Sequence, residues 1–372
     1  MQRKSLSILS LALVASGAFA QSTAPMPAVE SVGSVEFSGY LDISYNHLSQ
    51  SNVFTSGTAS RVFDLERNGF AVRQLAFTLA KQPKEGLGGL LNLTAGKDAD
   101  IINAYGLGFG KNNKIDLTQA FLQYASGSIT VIGGKFVTLA GAEVIKSPAN
   151  SNFSRSILFG YAIPFTHTGV RGTYEVDDTL SLMAGINNGW DAFKDTNAGK
   201  TVELGLTYAP SKAYSLGLQG YAGKERVGGL TNAGPEGVRN LIDVVGTFNA
   251  TERLSFVVNY DYGSQKNATL ASGLNGTAKW SGIAGNANYQ INDQWRLSGR
   301  LEYFDDKDGY RTGVAQKWRE ATLTVAYLPI KALELRAEVR ADSSNVASFA
   351  NSSATASSRS QRSVGLQAIY SF

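Results

Sequence analysis

The 372-residue chain has no cysteine, only 8 prolines, and charged residues at 17% of its length. Without cysteine a lipoprotein anchor is excluded, whereas export to an oxidising compartment is not opposed, since disulfides are common there but not required. A soluble chain of this length more often splits into two domains and carries about 25% charge. Beyond the amino-terminus no run of about 20 apolar residues occurs, which excludes a spanning helix. Imbalance of charge is also missing. Setting aside Arg3 and Lys4 leaves 32 basic against 30 acidic residues, no basis for nucleic-acid binding. There are two histidines, His47 and His167, and neither has a partner at metal-ligand spacing.

What is present begins with Met1-Gln-Arg-Lys4, the apolar stretch Leu6–Phe19 and Ala18-Phe-Ala20, the three parts of a secretory signal peptide. Cleavage after Ala20 is expected, with an uncleaved amino-terminal anchor as the alternative. Residues 21–34, with Pro25 and Pro27, then read as a polar leader to one domain, 35–372. High glycine and tyrosine and a mean hydropathy near zero suit strands with one lipid face and one polar face. The alternation is visible directly. Val35, Phe37, Leu41, Ile43 and Tyr45 alternate with Glu36, Ser38, Tyr40, Asp42 and Ser44, and similar sets recur around residues 202–208, 254–261, 295–303 and 333–340. The final stretch, Ser360 to Phe372, puts Val364, Leu366, Ala368, Tyr370 and Phe372 on one parity, interrupted on the other only by Ile369. An apolar strand at a chain end is an exposed edge unless it pairs with the first strand of a closed barrel.

Connectors carry the topology. Short ones fall at 83–86, 126–127, 176–179, 210–213, 250–253, 292–293 and 329–331. Between them lie longer polar ones at 47–68, 97–114, 140–164, 187–200, 224–239, 264–279, 305–316 and 342–360. Strict alternation of short and long predicts an all-β, transmembrane, antiparallel up-and-down barrel of about 16 strands, within a range of roughly 14–18, with both ends at the periplasmic side. Strands running down carry an outward-parity aromatic close to their lower end: Tyr124, Tyr174, Tyr208, Phe248, Tyr289, Tyr327, and finally Tyr370 with Phe372. Rings at one common height predict an interfacial girdle. Three places depart from the pattern. Arg73 shares parity with Leu75 and Phe77, predicting a bulge or later start in strand two; Phe121 and Leu122 make strand four apolar on both faces; the sixth strand starts indistinctly after Pro164.

The middle of the chain holds Gly133-Gly-Lys-Phe-Val-Thr-Leu-Ala-Gly141 with Glu143, then Asn152-Phe-Ser-Arg-Ser156, Pro164-Phe-Thr-His-Thr-Gly169 and Asn187-Asn-Gly-Trp-Asp191. This order resembles the OmpL-like β-barrel porins of Gram-negative bacteria, most sharply over residues 130–195. Thr138-Leu139 stands where that family usually has Thr-Pro. The resemblance implies an outer-membrane location and a pore, and names no solute.

Charge on the lumen parity is the candidate machinery. Arg296, Arg300, Arg336 and Arg340 form a basic ladder interleaved with Glu302, Glu320, Glu334 and Glu338, and Arg319 and Arg362 extend it near the outer mouth. Facing lipid at mid-depth, an Arg or Lys would cost about 2–4 kcal/mol, so this parity faces water. Two readings stay open: a field that biases ion entry, and a mutually neutralising network that stiffens the wall. The longest middle loop, 140–164, carries Glu143, Lys146 and Arg155 among packable Val144, Ile145, Phe153, Ile157, Leu158 and Phe159. It is the candidate constriction, with a lid over the mouth as the alternative. His167 is assigned a structural role pinning the preceding loop, and the Asp98-x-Asp100 pair a solvated one rather than a metal site. Gly106–Gly110 lacks the strand–helix setting of a nucleotide loop. No Ser/His/acid set is found, so no catalytic residue, cofactor or metal is expected.

The expected function is passive diffusion of ions and small hydrophilic solutes. The alternative is a non-conducting barrel serving as structural protein, adhesin or receptor through its loops. Expected partners are outer-membrane lipid and lipopolysaccharide, and the barrel-assembly machinery through the strand ending in Phe372. A 16-strand count is similar to that of trimeric porins, so a homotrimer is one open assembly state.

Overall fold

The computed structural model describes residues 35–108, 113–226, 235–351 and 357–372. Residues 1–34, where the signal peptide and leader are expected, lie outside them. The strands are β1 (Glu36–Leu48), β2 (Asn68–Lys81), β3 (Gly86–Ala95), β4 (Ile115–Ser126), β5 (Ile129–Val137), β6 (Thr166–Glu175), β7 (Leu180–Asn187) and β8 (Thr201–Ser211). They continue as β9 (Tyr214–Arg226), β10 (Glu236–Asn249), β11 (Leu254–Thr269), β12 (Asn275–Gln290), β13 (Trp295–Asp306), β14 (Gln316–Ile330) and β15 (Leu333–Ser344). The last loop carries a two-residue ladder of β16 (Phe349–Ala350) and β17 (Ser357–Ser358), and the chain ends in β18 (Ser360–Ser371).

Fifteen strands meander antiparallel from β1 to β15, and β18 inserts between β15 and β1 to close a 16-stranded barrel. Connectors alternate between turns of two to four residues and loops, as the sequence pattern predicts. One loop expectation fails. Residues 264–279 are mostly strand, because β11 runs to Thr269 and β12 starts at Asn275. Their exposed outward positions are polar (Lys266, Thr277 and Lys279) over buried Gln265, Ala268 and Ala278, so hydropathy stops alternating while the hydrogen-bond ladder continues.

The parity argument holds along the wall. On β18 Val364, Leu366 and Tyr370 point outward and are about half exposed. Ile369 turns inward, buried against Tyr40 and Ala76. The turn-end aromatics Tyr124, Tyr174, Tyr208, Phe248 and Tyr289 are exposed on the outer surface, and Trp295 stacks on Tyr327 at 4.6 Å. The irregular strands contain bulges. Across β1, Asp42 pairs with Gln74 but Ile43 with Val72, which leaves Arg73 as the extra residue and turns both Arg73 and Gln74 inward. A second register shift at Thr118 lets the two halves of β4 use opposite parities, which accounts for its apolar appearance on both faces.

At the seam Gly39 and Phe372 exchange backbone hydrogen bonds of 2.8 and 2.9 Å. The Phe372 ring lies across Gly39 and reaches Phe77, with ring centroids 5.9 Å apart. A Cβ on Gly39 would sit 2.5 Å from that ring and 2.9 Å from the carbonyl oxygen of Ala76. Gly39→Leu is therefore expected to displace the terminal ring at a cost of about 1–3 kcal/mol. The check is a lower urea midpoint for the folded, heat-modifiable band on cold gel electrophoresis; an unchanged midpoint would show that the ring can relocate freely.

Candidate functional site: an inward loop on a charged wall

The loop 138–165 leaves β5, crosses the lumen and returns to β6. It is held there mainly by polar contacts. Thr138 and Leu139 meet the Tyr221 hydroxyl at 3.1 and 3.3 Å, and Ala142 N–H donates to Asn259 Oδ1 at 3.2 Å. Gln74 Nε2 donates to the Ile145 carbonyl, Asn152 Nδ2 to Thr324 Oγ1, and Trp280 Nε1 to the Ala162 carbonyl. These anchors come from β2, β9, β11, β12 and β14, so the loop reaches walls well separated around the barrel.

The predicted ladder is where the loop is tied most densely. Glu338 accepts Phe153 N–H and Ser154 N–H at 2.7 and 3.0 Å. Glu302 accepts Ile157 N–H and Leu158 N–H at 3.0 and 3.2 Å. From the same wall, guanidiniums donate to loop carbonyls: Arg300 to Ser154 at 2.8 Å, Arg340 to Arg155 at 2.7 Å, and Arg336 to Asn152 at 3.2 Å. A loop buried in a lumen leaves orphan N–H and C=O groups. Alternating carboxylates and guanidiniums satisfy both kinds at one surface.

The wall is also paired within itself. Arg300 lies 3.1 Å from Glu302 and 3.0 Å from Glu320, Arg296 lies 2.5 Å from Glu334, and Arg336 is 2.8 Å from the same Glu334 oxygen. Arg340 pairs with Asp342 at 2.7 Å, and Asp342 with Arg61 of loop 49–67 at 2.8 Å. Of the three loop candidates, Glu143 joins this network, accepting from Arg300 at 2.6 Å and from Ser156 N–H at 2.6 Å. Arg155 is buried over the Phe63 and Phe159 rings at 5.5 and 5.9 Å and donates to the Ile145 carbonyl. Burial lowers its pKa, with Glu143 opposing. Lys146 is half-buried ahead of the short turn Ser147–Ala149, and burial lowers its pKa as well.

Two placements correct the sequence reading. Arg319 and Arg362 do not extend the ladder; both are exposed on the outer surface. Their neighbours Glu320, Gln361 and Ser363 occupy the lumen parity, and adjacent residues of a strand cannot share a face. Asp98 is not solvated. It is buried in α1 (Lys97–Ile102), 2.9 Å from Arg73 and accepting from Gln74, while Asp100 pairs with Lys114. Burial pushes the Asp98 carboxyl up to about 6 against the pull of Arg73. His167 is fully buried, stacked on Tyr221 at 5.1 Å, with Nδ1 3.2 Å from the Gly189 carbonyl. It therefore ties the following loop, 188–200, directly and the preceding one only through Tyr221.

Sequence reasoning missed Gln74, Tyr221, Trp280 and Arg61. The bulge at Arg73 hid the parity of Gln74; Trp280 and Tyr221 lie on lumen parity and could have been found from it; Arg61 lies in a loop with no pattern. Toward the loop end of the barrel Phe54, Phe63, Phe159, Tyr161, Trp318 and Phe349 form one apolar cluster that packs loops 49–67 and 138–165 with Phe349 of the last loop.

Arg300→Met would strand Glu143, Glu302 and Glu320 in a buried setting. Loss of a buried ionic partner costs about 3–5 kcal/mol. The variant is expected to unfold at lower denaturant and to admit protease at loop 138–165. Arg300→Met with Glu143→Met should cost less than the two single changes summed, because the pair is coupled. Strict additivity would dissolve the network.

A family model described as "Putative beta-barrel porin-2, OmpL-like" matches residues 34–372. No curated protein matches the chain. Among solved structures, the loop L8 deletion mutant of OmpT from Vibrio cholerae aligns with a TM-score of 0.61 at 15% identity, covering 92% of this chain and 100% of that one. The outer membrane channel DcaP of Acinetobacter baumannii aligns with a TM-score of 0.61 at 16% identity, covering 91% and 97%. OprB of Pseudomonas putida gives 0.56 at 12% identity, covering 91% and 94%. At such identities these likenesses concern the fold. The family match spans the whole described barrel, and the chain belongs to the OmpL-like β-barrel porin-2 family.

Proposed function

We propose that the barrel is a passive channel of the outer membrane, carrying ions and small hydrophilic solutes past the inward loop. The observation that carries this reading is the chemistry of the lumen. Each of the sixteen wall strands places at least one polar side chain on the inner face, from Asp42 and Gln74 through Gln219, Asn259 and Asn288 to Gln367. A wall of this strand number encloses an aqueous space rather than a packed core. Loop 138–165 narrows that space, and its anchors are fixed polar contacts, so the narrowing is a standing one. Because each ladder arginine sits against a carboxylate, the wall adds little net field, and a weak ion preference is expected.

One observation favours a second reading. The aromatic cluster at the loop end packs three loops together, as it would in a non-conducting barrel that works through its surface. Planar-bilayer recording of the refolded chain separates the two. Steady open steps are expected, with conductance rising when 142–162 is replaced by a short Gly/Ser link; neutralising Arg336 should move the reversal potential toward cations. Silence from both folded forms would favour the second reading.

The proposal includes the expected address and assembly. The signal peptide is cleaved after Ala20, and β18 with Phe372 is the element offered to the assembly machinery. A homotrimer also belongs to it, since OmpT of Vibrio cholerae is described in a trimer form. Amino-terminal sequencing of the membrane-extracted protein should begin at Gln21. A start at Met1 would mean that the segment is kept as an anchor.

A further inference from the structure

Exposed charge is segregated between the two ends of the barrel. At the turn end the exposed carboxylates Glu36, Glu85, Glu175, Asp177, Glu252 and Asp293 mix with lysines. At the loop end the described carboxylates are buried or half-buried, whereas Arg67, Lys97, Lys266, Lys279 and Arg359 are exposed. One set lies on the outward face of β14 and β18, where Lys317, Arg319 and Arg362 are all exposed. Among the described residues none of the three forms a salt bridge. The nearest carboxylate in register is Asp305, opposite Lys317 and half-buried.

Their spacing matters. Strand β15 runs between the two arginines and shows only Ala341 and Ser343 outward at this height. Arg362 is level with Ala341 and Ala321, and Arg319 stands one pleat higher, opposite Ser343. Two strand spacings across and two residues along separate the arginine backbones by about 12 Å. That is within the combined reach of two guanidiniums on one phosphorylated group, over a shallow notch floored by small residues. The backbones are pinned. Arg362 N–H donates to Ser49 Oγ, its carbonyl accepts Ser49 N–H, and Lys317 N–H donates to Asn345 Oδ1. One step below lie Leu323, Val339 and Val364, exposed by 47%, 53% and 49%, and beside them Leu301, level with Arg362 and exposed by 68%, continues the hydrocarbon-facing wall.

A free anion in water would have no use for that wall; an amphiphile with phosphates above acyl chains matches both parts. We propose that Lys317, Arg319 and Arg362 seat the phosphates of a phosphorylated outer-leaflet lipid whose chains lie on Leu301, Leu323, Val339 and Val364. The seat rests on the reading that the loop end faces the cell exterior, and it does not depend on conduction. Guanidiniums bind phosphate oxygens in a fixed fork, so binding is direct and does not require a bridging divalent ion.

The test is native mass spectrometry of the folded barrel after incubation with a bis-phosphorylated glucosamine-disaccharide lipid, with its dephosphorylated form, or with inorganic phosphate as competitor, all in chelator. Retention of the phosphorylated lipid alone is expected. Arg319→Gln with Arg362→Gln should lower it roughly tenfold or more, since each basic side chain near an anionic lipid surface contributes separately. The turn-end pair Lys212→Gln with Lys331→Gln should leave it unchanged. If the arginine pair misfolds, Arg319→Lys with Arg362→Lys replaces it, with weaker but measurable retention expected. Equal retention of the dephosphorylated lipid, or undiminished retention by either arginine variant, overturns the seat. Full displacement by inorganic phosphate assigns the cations to free anions and overturns it too. A barrel silent in bilayers that still retains the lipid would count against the channel and leave the seat standing.

Discussion

Backbone amides in hydrocarbon have no water to turn to, and that constraint shapes this molecule. The wall satisfies it by pairing every strand on both sides and returning β18 to β1. Closure then forces the two faces apart in chemistry. Outward positions must be apolar and inward ones may be charged, and the sixteen short strands of the chain obey this with glycine and alanine filling gaps. The same rule governs the loop inside. Residues 153–158 carry N–H groups with no sheet to join, and Glu302 and Glu338 take the place of a neighbouring strand.

The charged ladder therefore has a structural occupation before it has an electrical one. Its guanidiniums and carboxylates are paired with each other and with loop backbone, so they are already close to neutral as a group. If the lumen conducts, as proposed, such a wall leaves exclusion to shape and to the position of the loop more than to sign. The apolar cluster nearer the loops adds a second layer of restraint, since Phe54, Phe349 and Trp318 tie the first and last loops to the wall.

Strands and turns were legible in the sequence because lipid imposes hydrophobicity at alternate positions and turns interrupt it. Where lipid stops, the signal stops. The upper halves of β11 and β12 look like loop, and Arg319 and Arg362 were read as lumen residues because an outward cation is costly in hydrocarbon. Above the hydrocarbon that cost vanishes. The strand bulge at Arg73 was visible as a broken parity, although which way Gln74 would turn was not. Hardest to read was the path of loop 138–165. Its main anchors are backbone N–H groups, which nearly every residue supplies, so no residue pattern marks which segment Glu338 will hold.

The seam between β1 and β18 joins parts of the chain that are far apart in sequence; the Gln367–Asp42 hydrogen bond spans 325 residues. Every other wall ladder links neighbours in the meander. A polypeptide that has formed all of those is still an open ribbon with two raw edges, and it stays one until β18 meets β1. Formation of this barrel is thus governed by its slowest and most distant contact. During that interval the ribbon is vulnerable to pairing with any other strand it meets.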